Sequence, residues 1–197
     1  MPNYLDIFAG AGGLSEGFIR AGYEPIAHIE MDKAACYTLK TRLAYKWLSE
    51  HQKSATYMRY LKREITRKEL YATVPEELLK SVLNYEISKD NLKEIFQKVD
   101  RLLNGEALDL IVGGPPCQAY SLVGRARDEN GMVGDSRNYL YILYAEFLRK
   151  YHPRYFVFEN VTGLLSAKDT DGELYFDKMR RLFRECGYSI EYRQLNA

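Results

Sequence analysis

The stretch from Tyr4 to Gly22 constrains the fold most. Tyr4 to Phe8 is a short apolar run that opens directly into Ala9-Gly10-Ala11-Gly12-Gly13. A helical pattern follows to Ala21, with Gly22 as its stop and Ser15 as the expected cap. Strand, glycine turn and helix in this order predict the first unit of an α/β nucleotide-binding sheet. The glycines let backbone approach a ligand closely, and the helix amino end favours negative charge there. A glycine turn alone is also compatible with an ordinary tight connection, so the next strand matters. Glu24 to Ile29 ends at Glu30, about 20 positions past the glycines, where such folds place an acid that holds ribose hydroxyls. The competing role for Glu30 is a solvated helix cap beside Asp32.

Two further junctions have the same build. Leu108 to Val112 is an aliphatic run of the kind found in buried parallel strands, and it stops at Gly113-Gly114-Pro115-Pro116-Cys117-Gln118. That puts Cys117 just past the carboxyl end of a strand, where open α/β sheets bind their ligands. Cys117 reads either as a small buried hydrophobe or as a nucleophile whose aim is fixed by the prolines. Arg154 to Phe158 is another predicted buried strand, and it delivers Glu159-Asn160-Val161 at its end. Glu159 alone could be a structural cap. Taken together, the three junctions can converge on one sheet edge, which favours chemistry at Cys117 and Glu159.

Composition narrows the class. Hydrophobic residues make up 46% and charged residues 28% of the 197, which suits a globular domain with a substantial core. The formal net charge is +1, so any nucleic-acid affinity has to come from a local basic face. No apolar run reaches membrane-spanning length and no signal-peptide core is present, so a cytoplasmic, bacterial setting without a membrane partner is expected. Cys36, Cys117 and Cys186 are scattered without metal-ligand spacing, which predicts neither a disulfide framework nor a metal site.

Asp6 to Phe18 (D-I-F-A-G-A-G-G-L-S-E-G-F), Gly113 to Ser121 (G-G-P-P-C-Q-A-Y-S) and Glu159 to Val161 (E-N-V) resemble three signature motifs of the DNA (cytosine-5) methyltransferases, in that family's order. The resemblance covers nearly the whole chain. It implies a Rossmann-like, S-adenosylmethionine-dependent methyltransferase sheet with helices on both faces and a helical insertion after the second strand. It implies cofactor contacts from Phe8, Gly10, Gly12, Gly13, Glu30, Met31 and Pro115. A further acid-Ile pair should touch the cofactor: Glu64-Ile65 and Glu86-Ile87 both fit, and the second lies nearer the Cys117 strand. Cys117 and Glu159 would be catalytic, and Gln118, Ser121, Arg125 and Arg127 would meet DNA. The partner is then DNA with one cytosine flipped out. The nearest alternatives are a tRNA cytosine methyltransferase and a catalytically silent partner subunit. Only the amino-terminal part of such an enzyme is matched, so a carboxyl-terminal region with the target-recognition domain, or a second polypeptide, is expected to complete it.

The rest of the chain reads as support. Lys33 to about Glu50 is a predicted helix. Residues 53–103 read as two or three amphipathic helices, one opening at Pro75 and one at Asn91, with part of the stretch inserted relative to the family. The cations Lys62-Arg63 and Arg67-Lys68 read as a solvated face or as a phosphate-contacting edge. Gly124 to Arg137 is a polar, glycine-spaced loop, which in the family closes over DNA. Tyr139 to Tyr151 and Asp177 to Cys186 are predicted helices, and Tyr188 to Leu195 a final strand. His28, His51 and His152 have no partner spacing and carry no assigned chemistry.

Overall fold

Alternating apolar strands and helical repeats build two units in the computed structural model, Met1–Glu106 and Ala107–Ala197; it describes residues 1–116 and 139–195. In the first unit β1 (Asn3–Ile7) pairs with β2 (Glu24–Glu30), and β2 with β3 (Val82–Asn84), all parallel. Every β1 residue is buried, and so are the successive residues Ala27, His28 and Ile29 of β2. Side chains alternate across a strand, so unbroken burial means that both faces are covered.

The covering helices are α1 (Gly13–Arg20), α2 (Lys33–Glu50) and α6 (Leu92–Leu103). The Asp32 carboxylate caps α2 by accepting from the Ala35 amide at 2.7 Å. Cys36, Leu39, Leu43, Ala44 and Leu48 form the buried stripe of α2. Between α2 and β3 lie three short helices, α3 (Ser54–Leu61), α4 (Arg67–Tyr71) and α5 (Glu76–Lys80). None could persist alone at this length. Leu70 and Val74 anchor them by packing on Ala44 and Leu48 of α2.

In the second unit β4 (Leu110–Gly113) pairs in parallel with β5 (Tyr155–Phe158), joined through α7 (Leu140–Tyr151). The buried Tyr144 hydroxyl donates to the Ile111 and Val157 carbonyls at 3.2 and 3.0 Å, tying α7 to both strands. A 3-10 turn (Thr162–Leu165) and α8 (Tyr175–Glu185) follow. Behind them the Asp169 carboxylate accepts from Lys178, Tyr139 and Tyr175. Burial works against that charge, but these hydrogen bonds outweigh it and hold the carboxyl well below its usual range.

Three local expectations are corrected. Ser15 does not cap α1: the helix begins one turn earlier from a left-handed Gly12 with no side-chain cap, and Ser15 is buried inside it. Residues 82–84, read above as part of a helical stretch, form β3. Residues 188–195 alternate like a strand but form none; a strand needs a hydrogen-bonding neighbour, and among the described residues nothing pairs with them. The helix starts expected at Pro75 and Asn91 are both present.

Candidate cofactor and catalytic site

Each unit contributes a group of candidate residues at the carboxyl end of its strands. In the first, β1 runs into Phe8, which adopts a left-handed φ of 57°, and then into Gly10 and Gly12 at 54° and 82°. Phe8 is unusual, because a bulky side chain in this region is costly. At Gly12 glycine is required twice over: besides the φ, a Cβ there would lie 2.8 Å from Leu39 Cδ2. Its absence lets the turn settle onto α2. Gly13 starts α1 and is exposed.

Glu30 holds this turn. Its Oε2 accepts from the Gly10 amide at 2.8 Å and its Oε1 from the Asp32 amide at 2.7 Å. Each oxygen keeps further lone-pair capacity, which a pair of ribose hydroxyls can use. The strand end is locked from the side by the Asn84 amide, which donates to the Glu30 and Met31 carbonyls at 3.0 and 2.8 Å. Met31 itself is 61% exposed, an apolar platform beside the acid. Glu86 is exposed two residues past β3, whose Asn84 is the register partner of Glu30, and Ile87 is buried. Glu64 lies elsewhere, between α3 and α4 and 3.6 Å from Arg59.

Beneath the turn is a polar network that sequence reasoning missed. The Tyr4 hydroxyl bonds Ser15 Oγ, which in turn sits 2.9 Å from His28 Nε2. Burial, then the nearby Arg42, lowers the His28 pKa to about 4, so the ring is neutral. Asp6, the register partner of His28, is equally buried, and burial followed by the Glu30 charge raises its pKa well above the carboxylate range. Among the described residues, Asp6 Oδ2 and His28 Nδ1 have no hydrogen-bond partner.

In the second unit the Glu159 amide donates to the Gly113 carbonyl at 2.9 Å. The carboxylate lies over Gly114: a Cβ built there would be 2.5 Å from Glu159 Oε2. Pro115 is buried, and its carbonyl accepts from the Asn160 side-chain amide at 3.3 Å. Asn160 Oδ1 accepts in turn from the Val161 amide at 2.9 Å. Glu159-Asn160-Val161 is thus fastened to the Gly-Gly-Pro backbone that leads to Cys117. Cys117, Gln118, Ser121, Arg125 and Arg127 lie outside the described residues. Among the described residues no cluster of His, Cys, Asp and Glu could hold a metal, and no helix is long and apolar enough to cross a membrane.

Comparisons with known proteins agree with these motifs. The chain is 37% identical to the Type II methyltransferase M.Bpa9945I of Bacillus paralicheniformis, covering 94% of this chain and 46% of that protein. It is 33% identical to the Type II methyltransferase M.XorII of Xanthomonas oryzae, over 100% of this chain and 36% of that protein. The chain therefore spans about half or less of the length of these relatives. A solved prophage DNA modification methyltransferase from E. coli shares the fold, with a TM-score of 0.53 at 22% identity, over 94% of this chain and 38% of that one. The profile of the C-5 cytosine-specific DNA methylases matches residues 3–57 and 70–197. That span takes in the glycine turn, Glu30, the Gly-Gly-Pro-Pro-Cys-Gln stretch and Glu159-Asn160-Val161, and it places the chain in the C-5 cytosine-specific DNA methylase family.

Proposed function

We propose that this chain carries the cofactor-binding and catalytic core of an enzyme that methylates carbon 5 of a flipped cytosine in DNA. The observation that carries the reading is the seating of the Glu159 carboxylate over Gly114, three residues before Cys117 in sequence. Carbon 5 of cytosine is a poor nucleophile. Addition of the Cys117 thiolate to carbon 6 raises electron density at carbon 5. Glu159 assists by donating a proton or hydrogen bond to N3, a task for a carboxyl in a closed site. Asn160 orients the Glu159 segment through its bond to the Pro115 carbonyl. S-adenosylmethionine, when bound, supplies an electrophilic methyl group to carbon 5. Loss of the carbon 5 proton and β-elimination then free Cys117. The ring atoms are hidden in stacked duplex, so the base has to leave the helix.

The first unit suits that cofactor. Glu30 presents a fixed carboxylate for ribose hydroxyls, Met31 an apolar surface for adenine, and Phe8, Gly10, Gly12 and Gly13 a close backbone approach for the methionine portion. Glu86-Ile87 fits the adenine-side pair better than Glu64-Ile65, because it follows β3 at the same strand end as Glu30. Pro115 is assigned to the cofactor, and Gln118, Ser121, Arg125 and Arg127 to DNA. The named relatives are Type II methyltransferases, which supports a restriction-modification setting. That the chain covers 46% and 36% of those two relatives supports a partner region, in the same polypeptide or a second one, that selects the DNA sequence.

The test is trapping. With duplex containing 5-fluorocytosine and S-adenosylmethionine, together with the adjoining polypeptide, the protein should form a stable adduct at Cys117, because fluorine blocks the elimination step. Cys117→Ser should abolish the adduct while cofactor binding persists. An adduct that survives this substitution would end the covalent reading.

A further inference from the structure

The family profile skips residues 58–69, so this segment belongs to this chain more than to its family. It holds the corner between α3 and α4. Residues 58–69 hold five cations, Arg59, Lys62, Arg63, Arg67 and Lys68, and two carboxylates, Glu64 and Glu69. The segment is therefore +3 in a chain of net +1, which leaves the remainder at −2. Glu64 lies 3.6 Å from Arg59. Lys62, Arg63 and Lys68 are exposed and carry no ion pair among the described residues. Some other surface cations are neutralised by neighbours, as Lys80 is by Glu76 and Glu77 and Arg20 by Glu16, whereas Lys33, Lys89 and Lys93 are exposed and like the corner have no ion pair among the described residues.

The corner is also held in place. Thr66 and Glu69 form a reciprocal capping box at the start of α4. The Arg67 guanidinium lies over the Tyr37 ring, 3.5 Å from its centroid. Stacking of this kind fixes the plane of the group and leaves its edge N–H donors free. Arg63 and Arg67 line one hollow of roughly 460 Å³, which Glu64 also lines. Tyr37 is four residues into α2, about 6 Å along the axis at 1.5 Å per residue, and α2 starts just after the carboxyl end of β2. Arg67 is therefore placed near the start of α2, while Ile65 of the same corner packs further along that helix, on the cluster of Ala44 and Leu48.

We infer that the α3–α4 corner is a sequence-independent contact surface for the phosphate backbone of duplex DNA. The inference rests on the proposed DNA substrate. Three spaced cations without ion pairs, beside a guanidinium pre-oriented by Tyr37, match a phosphate row, and this contact adds affinity without reading bases.

The test uses the full chain and short duplexes of unrelated sequence, with binding followed by fluorescence anisotropy across a salt series. In Lys62→Gln/Arg63→Asn/Lys68→Gln, affinity near 0.1 M salt should fall about 100-fold. The slope of log affinity against log salt should become shallower by about 2 to 3, as expected for three lost phosphate contacts. Asn is chosen at position 63 because Arg63 has a left-handed φ of 61°. The charge-keeping variant Lys62→Arg/Arg63→Lys/Lys68→Arg should bind like the parent. Unchanged affinity and slope in the neutral variant would overturn the inference. So would a parent chain that binds S-adenosylmethionine but no duplex, or one that prefers anionic lipid vesicles to DNA. Trapping at Cys117 is read separately, so failure of the chemistry and failure of this surface give different results.

Discussion

The Glu159 carboxylate rests on the bare backbone of Gly114, where a Cβ would come within 2.5 Å of Oε2. The backbone there cannot yield easily, because the Glu159 amide is bonded to the Gly113 carbonyl and Asn160 to the Pro115 carbonyl. In Gly114→Ala the carboxylate is therefore the part that moves. General acid assistance is worth about 10²- to 10⁴-fold, so a roughly 100-fold fall in kcat for methyl transfer is expected. S-adenosylmethionine affinity should fall far less than kcat, since of the proposed cofactor contacts only Pro115 adjoins the substitution and Glu30 and the glycine turn are untouched. A variant with parental kcat would show that Glu159 tolerates displacement and would weaken its catalytic assignment.

Glu30 serves the protein and, in the proposed function, the ligand. Glu30→Gln keeps the shape but replaces one acceptor oxygen with a donor, which then faces the Gly10 or Asp32 amide. Loss of a charge-assisted hydrogen bond costs about 1.5 to 3 kcal/mol. The dissociation constant for S-adenosylmethionine, measured by calorimetry, should rise at least about tenfold. Parental affinity would remove the ribose assignment.

The two left-handed glycines separate strain from sterics. Gly10→Ala meets nothing within 4 Å and bears only the strain of its φ of 54°. Gly12→Ala bears similar strain and also pushes against Leu39 in the α2 stripe. We expect Gly10→Ala to lose about 1 kcal/mol in urea unfolding, and Gly12→Ala about 2 to 4 kcal/mol. Equal losses would mean that Leu39 shifts aside freely.

What could be read from the sequence is what local chemistry dictates. Gly10 and Gly12, Pro115 and Pro116, and the acids Glu30 and Glu159 mark strand ends by residue type, and β1, β2, β4 and β5 lie within two residues of where they were expected. What was hidden depended on partners distant in sequence. Ser15 has the residue type of a cap, but its partners, Tyr4 and His28, are contributed by β1 and β2. Val82–Asn84 is too short to show a period, and only its pairing with β2 makes it a strand. The alternation from Tyr188 to Leu195 is real, but periodicity specifies a face, not a neighbour. Arg67 gave no sign of Tyr37, because a stack between two helices leaves no spacing signal.

Asp6 and His28 pair across β1 and β2 with pKa values moved in opposite senses, which predicts a compensation. Burial lowers the His28 pKa to about 4 from an unfolded value near 6.5, so between those pH values the unfolded chain binds a proton that the folded chain refuses. Stability from this group alone falls as pH drops through that window. Burial, then the Glu30 charge, raises Asp6, so the folded chain keeps a proton that the unfolded chain releases above about 3.9. Stability from Asp6 alone is complete below that value and is lost as pH rises toward its folded pKa. The two contributions therefore oppose each other from about pH 4 upward, toward the folded pKa of Asp6. In Asp6→Asn, which mimics the neutral acid, only the His28 dependence remains. Urea unfolding should then show stability, relative to the parent, dropping as pH falls from 6.5 to 4. In His28→Gln the sign reverses, with stability relative to the parent falling as pH rises from 4 to 6.5. Titrating groups not coupled to Asp6 or His28 act equally in all three proteins and drop out of the differences. If both difference curves are flat, the two buried groups titrate alike in folded and unfolded chains, and the neutral pairing beneath the glycine turn is wrong.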